Sequence, residues 1–209
     1  MTQRFSEGPR RDGDSGPQRA IFDLWVALAV LLATVTMCSR LQFDRDAVAN
    51  GLSWFGIMRR TVVPFTIGLL LVAGLQVRAA AALPRTDDLT WLRRGLIASA
   101  VLMIGILATP YSVSMLVYRI HDAFGTALFG LQIGLATWHW RRQRQRERLV
   151  GGLLLVQLTA GLAALGALLG LAHDMFFPQV IYQLAYGVQL PFVVRDLAGQ
   201  GVVDRRRTA

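Results

Sequence analysis

Two His-Asp dipeptides, His121-Asp122 and His173-Asp174, are the residues of this chain best suited to chemistry. Two imidazoles and two carboxylates together would suit a borderline divalent metal such as zinc, or general acid–base work on a lipid head group. Their spacing also fits a plainer use. Adjacent residues on a helix point about 100° apart, so neither dipeptide presents both side chains equally to one ion. No histidine pair stands at i, i+4 on a single helix face. Asp122 has a local role too, because a carboxylate in a first helical turn favours the helix dipole. The expectation is therefore polar capping and interhelical bonding, with no catalytic residue. The alternative is a metal-dependent hydrolase centre of His121, Asp122, His173 and Asp174, with His121 and His173 as the metal ligands.

Other chemistry has little to build on. Cys38 is the single cysteine, which rules out an intrachain disulfide and a Cys-rich metal site. No hydrolase elbow, phosphate-binding loop or dinucleotide fingerprint is present. Haem would want histidines deep in facing helices, and all three here fall at the ends of apolar runs. The chain is expected to carry no cofactor.

Those histidines sit on elements that composition identifies. The 209 residues are 54% hydrophobic and only 17% charged, against about 25% charged in ordinary soluble domains; mean hydropathy is +0.43. The charge is clustered between apolar runs of spanning length. The fold class that follows is all-α: a polytopic membrane bundle of six transmembrane helices. The spans read as 20–38, 61–77, 95–109, 120–138, 149–172 and 180–194, and the first is long enough for the ~20 residues that a ~30 Å hydrocarbon core requires. The first reads as a retained signal anchor. Residues 1–19 read as a disordered polar tail, 20–197 as the transmembrane domain and 198–209 as a basic tail. Asp23, in the first turn of the first span, is one helical turn from Arg19 and is expected to pair with it. Asn50-Gly51 signals a turn in the longest loop, and Pro110 stops the third span.

Arginine sets the orientation. All 22 basic side chains are Arg, and seventeen of them fall on one side of the six-span arrangement, with five on the other. Five lie in the loop Trp138–Arg148 alone (Arg141, Arg142, Arg144, Arg146 and Arg148). Short Arg-rich loops stay in the cytoplasm, so both termini are expected there, in a multi-pass protein of the bacterial inner (plasma) membrane. The net charge of +9 is then topology and implies no nucleic-acid partner. His139, between Trp138 and Trp140, reads as a residue of the interfacial belt.

Two patterns concern helix packing. Gly130 and Gly134, and the Gly161, Gly166 and Gly170 series, are expected to let the fourth and fifth spans approach closely. In the last span Gln179, Tyr182, Gln183, Tyr186 and Gln189 share an arc of roughly 120°. A stripe of amides facing lipid is costly, so this face should look into the bundle, either as hydrogen-bonding glue or as the lining of a transport path.

Two short motifs carry a resemblance. Ser53-x-x-Gly56 is followed by the run Gly68-Leu69-Leu70, and His121 opens a helix and is followed by small residues and Phe, in R-I-H-D-A-F-G-T-A-L-F. The segment resembles the outer loop and second helix of DUF998 proteins and the related Frag1/DRAM/Sfk1 group of small six-span membrane proteins. The charged Asp44-Arg45-Asp46 before it and Arg59-Arg60 after it depart from that pattern. The resemblance implies that Ser53, Gly56 and His121 form an outer-face patch meeting a lipid head group or another membrane protein. The expected role is non-catalytic: lipid or envelope organisation, or an accessory subunit, with membrane lipids as partners. The alternatives are the metal-dependent lipid hydrolase and a small transporter.

Overall fold

A computed structural model describes residues 15–110, 112–143 and 148–207. Arg144 and Arg146 of the Arg-rich loop, and residues 1–14 of the expected N-terminal tail, lie outside the described residues. Seven α-helices follow one another: α1 (Ser15–Leu41), α2 (Arg45–Asn50), α3 (Val62–Ala82), α4 (Asp87–Ala108), α5 (Met115–Gln143), α6 (Arg148–Leu168) and α7 (Phe176–Arg207), with a 3₁₀ segment, Gly51–Gly56, after α2. No strand occurs among the described residues. Helix begins at Ser15, inside the stretch expected to be a tail, and α7 runs on to Arg207, past the expected start of the basic tail.

By length and apolarity α1, α3, α6 and residues 89–108 of α4 can each cross a membrane. The six-span expectation is met in this sense by four helices. The other two, α5 and α7, are 29 and 32 residues long, but amides, hydroxyls and histidines dilute their apolarity.

The six long helices form a ring. α1 packs broadly on α3 and on α7, α3 continues onto α4, α4 onto α5, and α7 onto α6. The seam between α5 and α6, which would close the ring, is only lightly packed. Buried residues gather in three layers. Leu24, Ala79, Leu92, Leu96, Leu190 and Val194 pack at the Arg-rich end. Ala27, Val72, Ala100, Met103 and Leu128 fill the middle. Cys38, Ala47, Phe55, Phe65 and Phe176 close the other end.

Single glycines set the close contacts. A Cβ on Gly68 of α3 would overlap the Thr34 side chain of α1, and one on Gly187 of α7 would meet Leu28 Cδ1 at 2.7 Å. Gly95 and Gly105 of α4 take Leu135 and Phe124 of α5 at 2.6 and 2.7 Å in the same way. Most of the glycines expected to pack the fourth span against the fifth do not. Gly125, Gly130, Gly134, Gly166 and Gly170 have no neighbour within 4 Å of a built Cβ, whereas Gly161 meets the Tyr182 ring at 3.4 Å and Ile133 of α5 at 3.8 Å. A four-residue glycine spacing opens a groove on a helix; it does not supply the partner that fills it.

Asp23 also departs from expectation. Its carboxylate, 1% exposed, accepts from Arg78 of α3 through Nε at 2.8 Å and Nη2 at 2.5 Å. A guanidinium presents two parallel donors, and the fork staples α1 to α3. His139, expected in the interfacial belt, is fully buried, with Nε2 3.6 Å from Asp196 of α7.

The segment between α1 and α3 folds over the end of the ring opposite the Arg-rich loop. Asp44 caps α2 by accepting from the Ala47 amide at 2.8 Å, and the turn expected at Asn50-Gly51 is present, with Gly51 at φ 72°. The Ala47 amide, followed by Gln42, holds the Asp44 carboxyl below the usual carboxylate range. A carboxylate lowered on folding stabilises above its unfolded value, and that contribution disappears as pH falls through the lowered one. We expect protection of the Ala47 amide, measured against its intrinsic exchange rate, to fall below about pH 4, and Asp44→Ala to remove that acid-dependent loss. Protection that ignores acid in the parent protein would contradict it.

Candidate functional site

Inside the ring lies a cavity of about 480 Å³. Its walls are apolar, with Leu24, Leu28, Leu69, Val72, Met103, Leu128 and Phe129 among them. Polar side chains occupy its two ends. At the capped end are Asn50, Ser53, Tyr118, His121, Asp122 and Gln179. Deeper in are Gln76, Gln132, Gln183 and Tyr186.

The cavity is open sideways along the α5–α6 seam. Thr126 and Gly130 of α5, and Leu158, Leu162, Leu165 and Leu168 of α6, line it while remaining exposed at the molecular surface. Leu162 is 67% exposed. The glycines of α5 therefore border an open cleft.

Ser53 and His121 come together, though 68 positions separate them. The 3₁₀ segment carries Ser53 to within 2.9 Å of His121 Nε2, in the second turn of α5. His121 Nδ1 lies 2.8 Å from the Thr109 carbonyl oxygen. That carbonyl is available because α4 ends at Ala108, and the last carbonyls of a helix have no intrahelical donor. A carbonyl only accepts, so in the neutral ring Nδ1 carries the hydrogen and Nε2 accepts from the Ser53 hydroxyl. Thr109, outside the sequence expectation, thereby fixes the tautomer. Gly56, the third member of the expected patch, lines a second hollow of about 20 Å³ with Ser53, Pro110 and His121. His121 is 8% exposed, while Ser53, Gly56 and Thr109 are half-buried around it.

The second dipeptide lies elsewhere. His173 is exposed in the connection after α6, and Asp174 accepts from the Phe177 amide at 3.2 Å as α7 begins. Neither lines the cavity. Among the described residues no three His, Cys, Asp or Glu gather where one ion could be held. His121, Asp122, His173 and Asp174 therefore do not form a common ligand set. Asp122 instead bonds Tyr118 one turn away.

The stripe on α7 looks inward as expected, and it finds partners. Gln179 Oε1 accepts from the Leu52 amide at 2.8 Å. Tyr182 donates to the Phe129 carbonyl at 2.8 Å and stacks on the Phe129 ring. Gln183 and Gln132 exchange two amide bonds, at 3.2 and 3.3 Å. Gln189 accepts from Gln157 of α6, and Tyr186 faces Ser99 of α4. Tyr182 and Gln189 bridge helices, while Gln179, Gln183 and Tyr186 also border the cavity. The partners Gln132 and Gln157 carried a signal of their own. A lone amide in the middle of an apolar span must find another polar group.

Comparison with protein-family models, curated proteins and solved structures gives no match to this chain.

Proposed function

We propose that the chain is a six-span inner-membrane protein with both termini in the cytoplasm, and that its cavity takes up the hydrocarbon chain of a membrane lipid. The likeness of Ser53, Gly56 and His121 to DUF998 and Frag1/DRAM/Sfk1 proteins belongs to the same proposal. So does a place in lipid or envelope organisation. The observation that carries it is an apolar cavity whose side cleft is bordered by exposed leucines, with polar groups reserved for its ends.

In this reading α5 and α7 also cross the bilayer. The amides of Gln132, Gln183 and Gln189 and the Tyr182 hydroxyl are turned inward and bonded, which lowers the cost of placing these helices in lipid. Cavities of roughly 300–1,000 Å³ hold ligands of drug-like size, and one alkyl chain is of that order. Transport is the weaker reading, since Gln132 and Gln183 satisfy each other across the deep end.

A filling substitution tests the proposal. Gly125 borders the cavity and has open space where a Cβ would go, so Gly125→Leu should occupy the cavity without disturbing the helices. We expect a phospholipid with a photoreactive acyl chain to crosslink to α5 and α6 in the parent protein. Crosslinking should drop at least about tenfold in Gly125→Leu, the equivalent of ~1.4 kcal/mol, with the thermal midpoint preserved. Equal crosslinking in the two proteins would defeat the reading.

A further inference from the structure

We propose that Ser53 and His121 form an acyl-transfer centre acting on an ester of a long-chain lipid; this rests on the reading of the cavity as an acyl-chain site. Three observations on this chain converge. The nucleophile and base are within hydrogen-bond distance, 2.9 Å from Ser53 Oγ to His121 Nε2. The base is oriented from behind by the Thr109 carbonyl at 2.8 Å, which turns its other nitrogen toward Ser53. The pair also stands between two spaces of different character. One is the apolar cavity, wide enough for a chain; the other is the 20 Å³ hollow beside Gly56, which is large enough for one water molecule.

The steps balance with an ester and water alone. Ser53 Oγ attacks the ester carbonyl carbon as His121 Nε2 takes its proton. The bond from that carbon to the alkoxy oxygen breaks, and the leaving oxygen receives the proton from His121. An acyl-Ser53 remains, its chain in the cavity. Water from the hollow beside Gly56 then gives a proton to His121 and attacks the acyl carbonyl. The carbon–Oγ bond breaks, Oγ recovers its proton, and a fatty acid leaves. Asn50 lines the same end of the cavity and spends one amide hydrogen on the Asp46 carbonyl. Its second hydrogen can meet the oxygen that becomes negative during attack. Thr109 acts as a positioning group through its backbone.

The test uses the full chain in detergent with a hexadecyl fluorophosphonate, whose fluoride leaves as phosphorus bonds to a nucleophilic serine. We expect one adduct, on Ser53, absent in Ser53→Ala and formed at least about a hundredfold more slowly in His121→Gln. An ethyl fluorophosphonate should label far more slowly than the hexadecyl probe, because it gains nothing from the cavity. Gly56→Val tests the hollow: a Cβ there meets the Phe65 ring at an ordinary 3.5 Å, so the variant should fold. With a long-chain nitrophenyl ester it should accumulate acyl-Ser53 that the parent protein turns over.

The same samples are crosslinked with the photoreactive lipid. Crosslinking without any Ser53 adduct overturns the acyl-transfer centre and leaves the cavity reading standing. Loss of both overturns both. Equal labelling by the ethyl and hexadecyl probes overturns the assignment to long-chain esters.

Discussion

Replacing Arg78 with leucine should be among the most damaging single changes outside the close helix contacts, because it removes one partner of a pair whose other member is buried. The reason is asymmetric burial. Asp23 is 1% exposed, whereas the Arg78 side chain is 50% exposed. Without Arg78 the carboxylate is left among apolar side chains, with neither of its two charged donors. Without Asp23 the half-exposed guanidinium can swing outward, away from the apolar packing, on its flexible stem. Asp23→Leu should therefore cost much less, within about 1 kcal/mol of the parent, since a buried pair replaced by apolar groups is often neutral. The double variant should resemble Asp23→Leu. Unfolding in mixed micelles across this cycle checks the prediction, and equal losses from the two single variants would contradict it.

Gly68→Leu should be of comparable severity. α1 and α3 share the broadest helix contact in the molecule, and a Cβ at Gly68 would already overlap Thr34. Thr34 cannot turn away easily. Its side chain is branched at Cβ, and its hydroxyl donates to the Val30 carbonyl at 2.8 Å. Overpacking of this kind costs about 1–3 kcal/mol and sometimes more, and the length of the contact places Gly68→Leu at the upper end. The control is Gly134→Ala, where no atom lies within 4 Å; an added methyl there should be neutral or should gain up to about 1 kcal/mol from helix propensity. Thermal midpoints of the two variants should move in opposite directions or differ by several degrees. Equal shifts would mean that α1 and α3 do not meet at Gly68.

These two sites mark the limit of what could be read from residues alone. Local signals held: the Asn50-Gly51 turn, the stop before Pro110 and the inward stripe on α7 are properties of a few adjacent residues. Contacts between helices did not. Arg78 lies 55 positions from Asp23, while Arg19 stood one turn away and was the natural local partner. Gly68 and Gly187 have no repeated spacing to announce them, because the bulk they accommodate, Thr34 and Leu28, sits on α1. The regular glycines of α5 had the spacing but no partner.

The candidate site divides in the same way. Ser53, Gly56 and His121 were legible as a group only through their motif likeness, and Thr109 was silent because its contribution is a backbone oxygen. The two His-Asp dipeptides looked equivalent in sequence. One is on a helix that faces the cavity and the other is in a connection, a difference set by how α5 is held on α4.

The lightly closed seam between α5 and α6 has a consequence for kinetics. Under the proposed reading, a lipid entering through it would pass from the hydrocarbon of one leaflet straight into the protein, and no methylene would cross water on the way. Occupancy would then follow the surface density of the lipid in that leaflet, at fixed protein, and would be indifferent to the lipid's aqueous solubility. Rates of entry and exit would track the order and temperature of the surrounding bilayer. Two lipids with the same head group, one fluid and one gel-forming, would fill the same cavity at very different speeds.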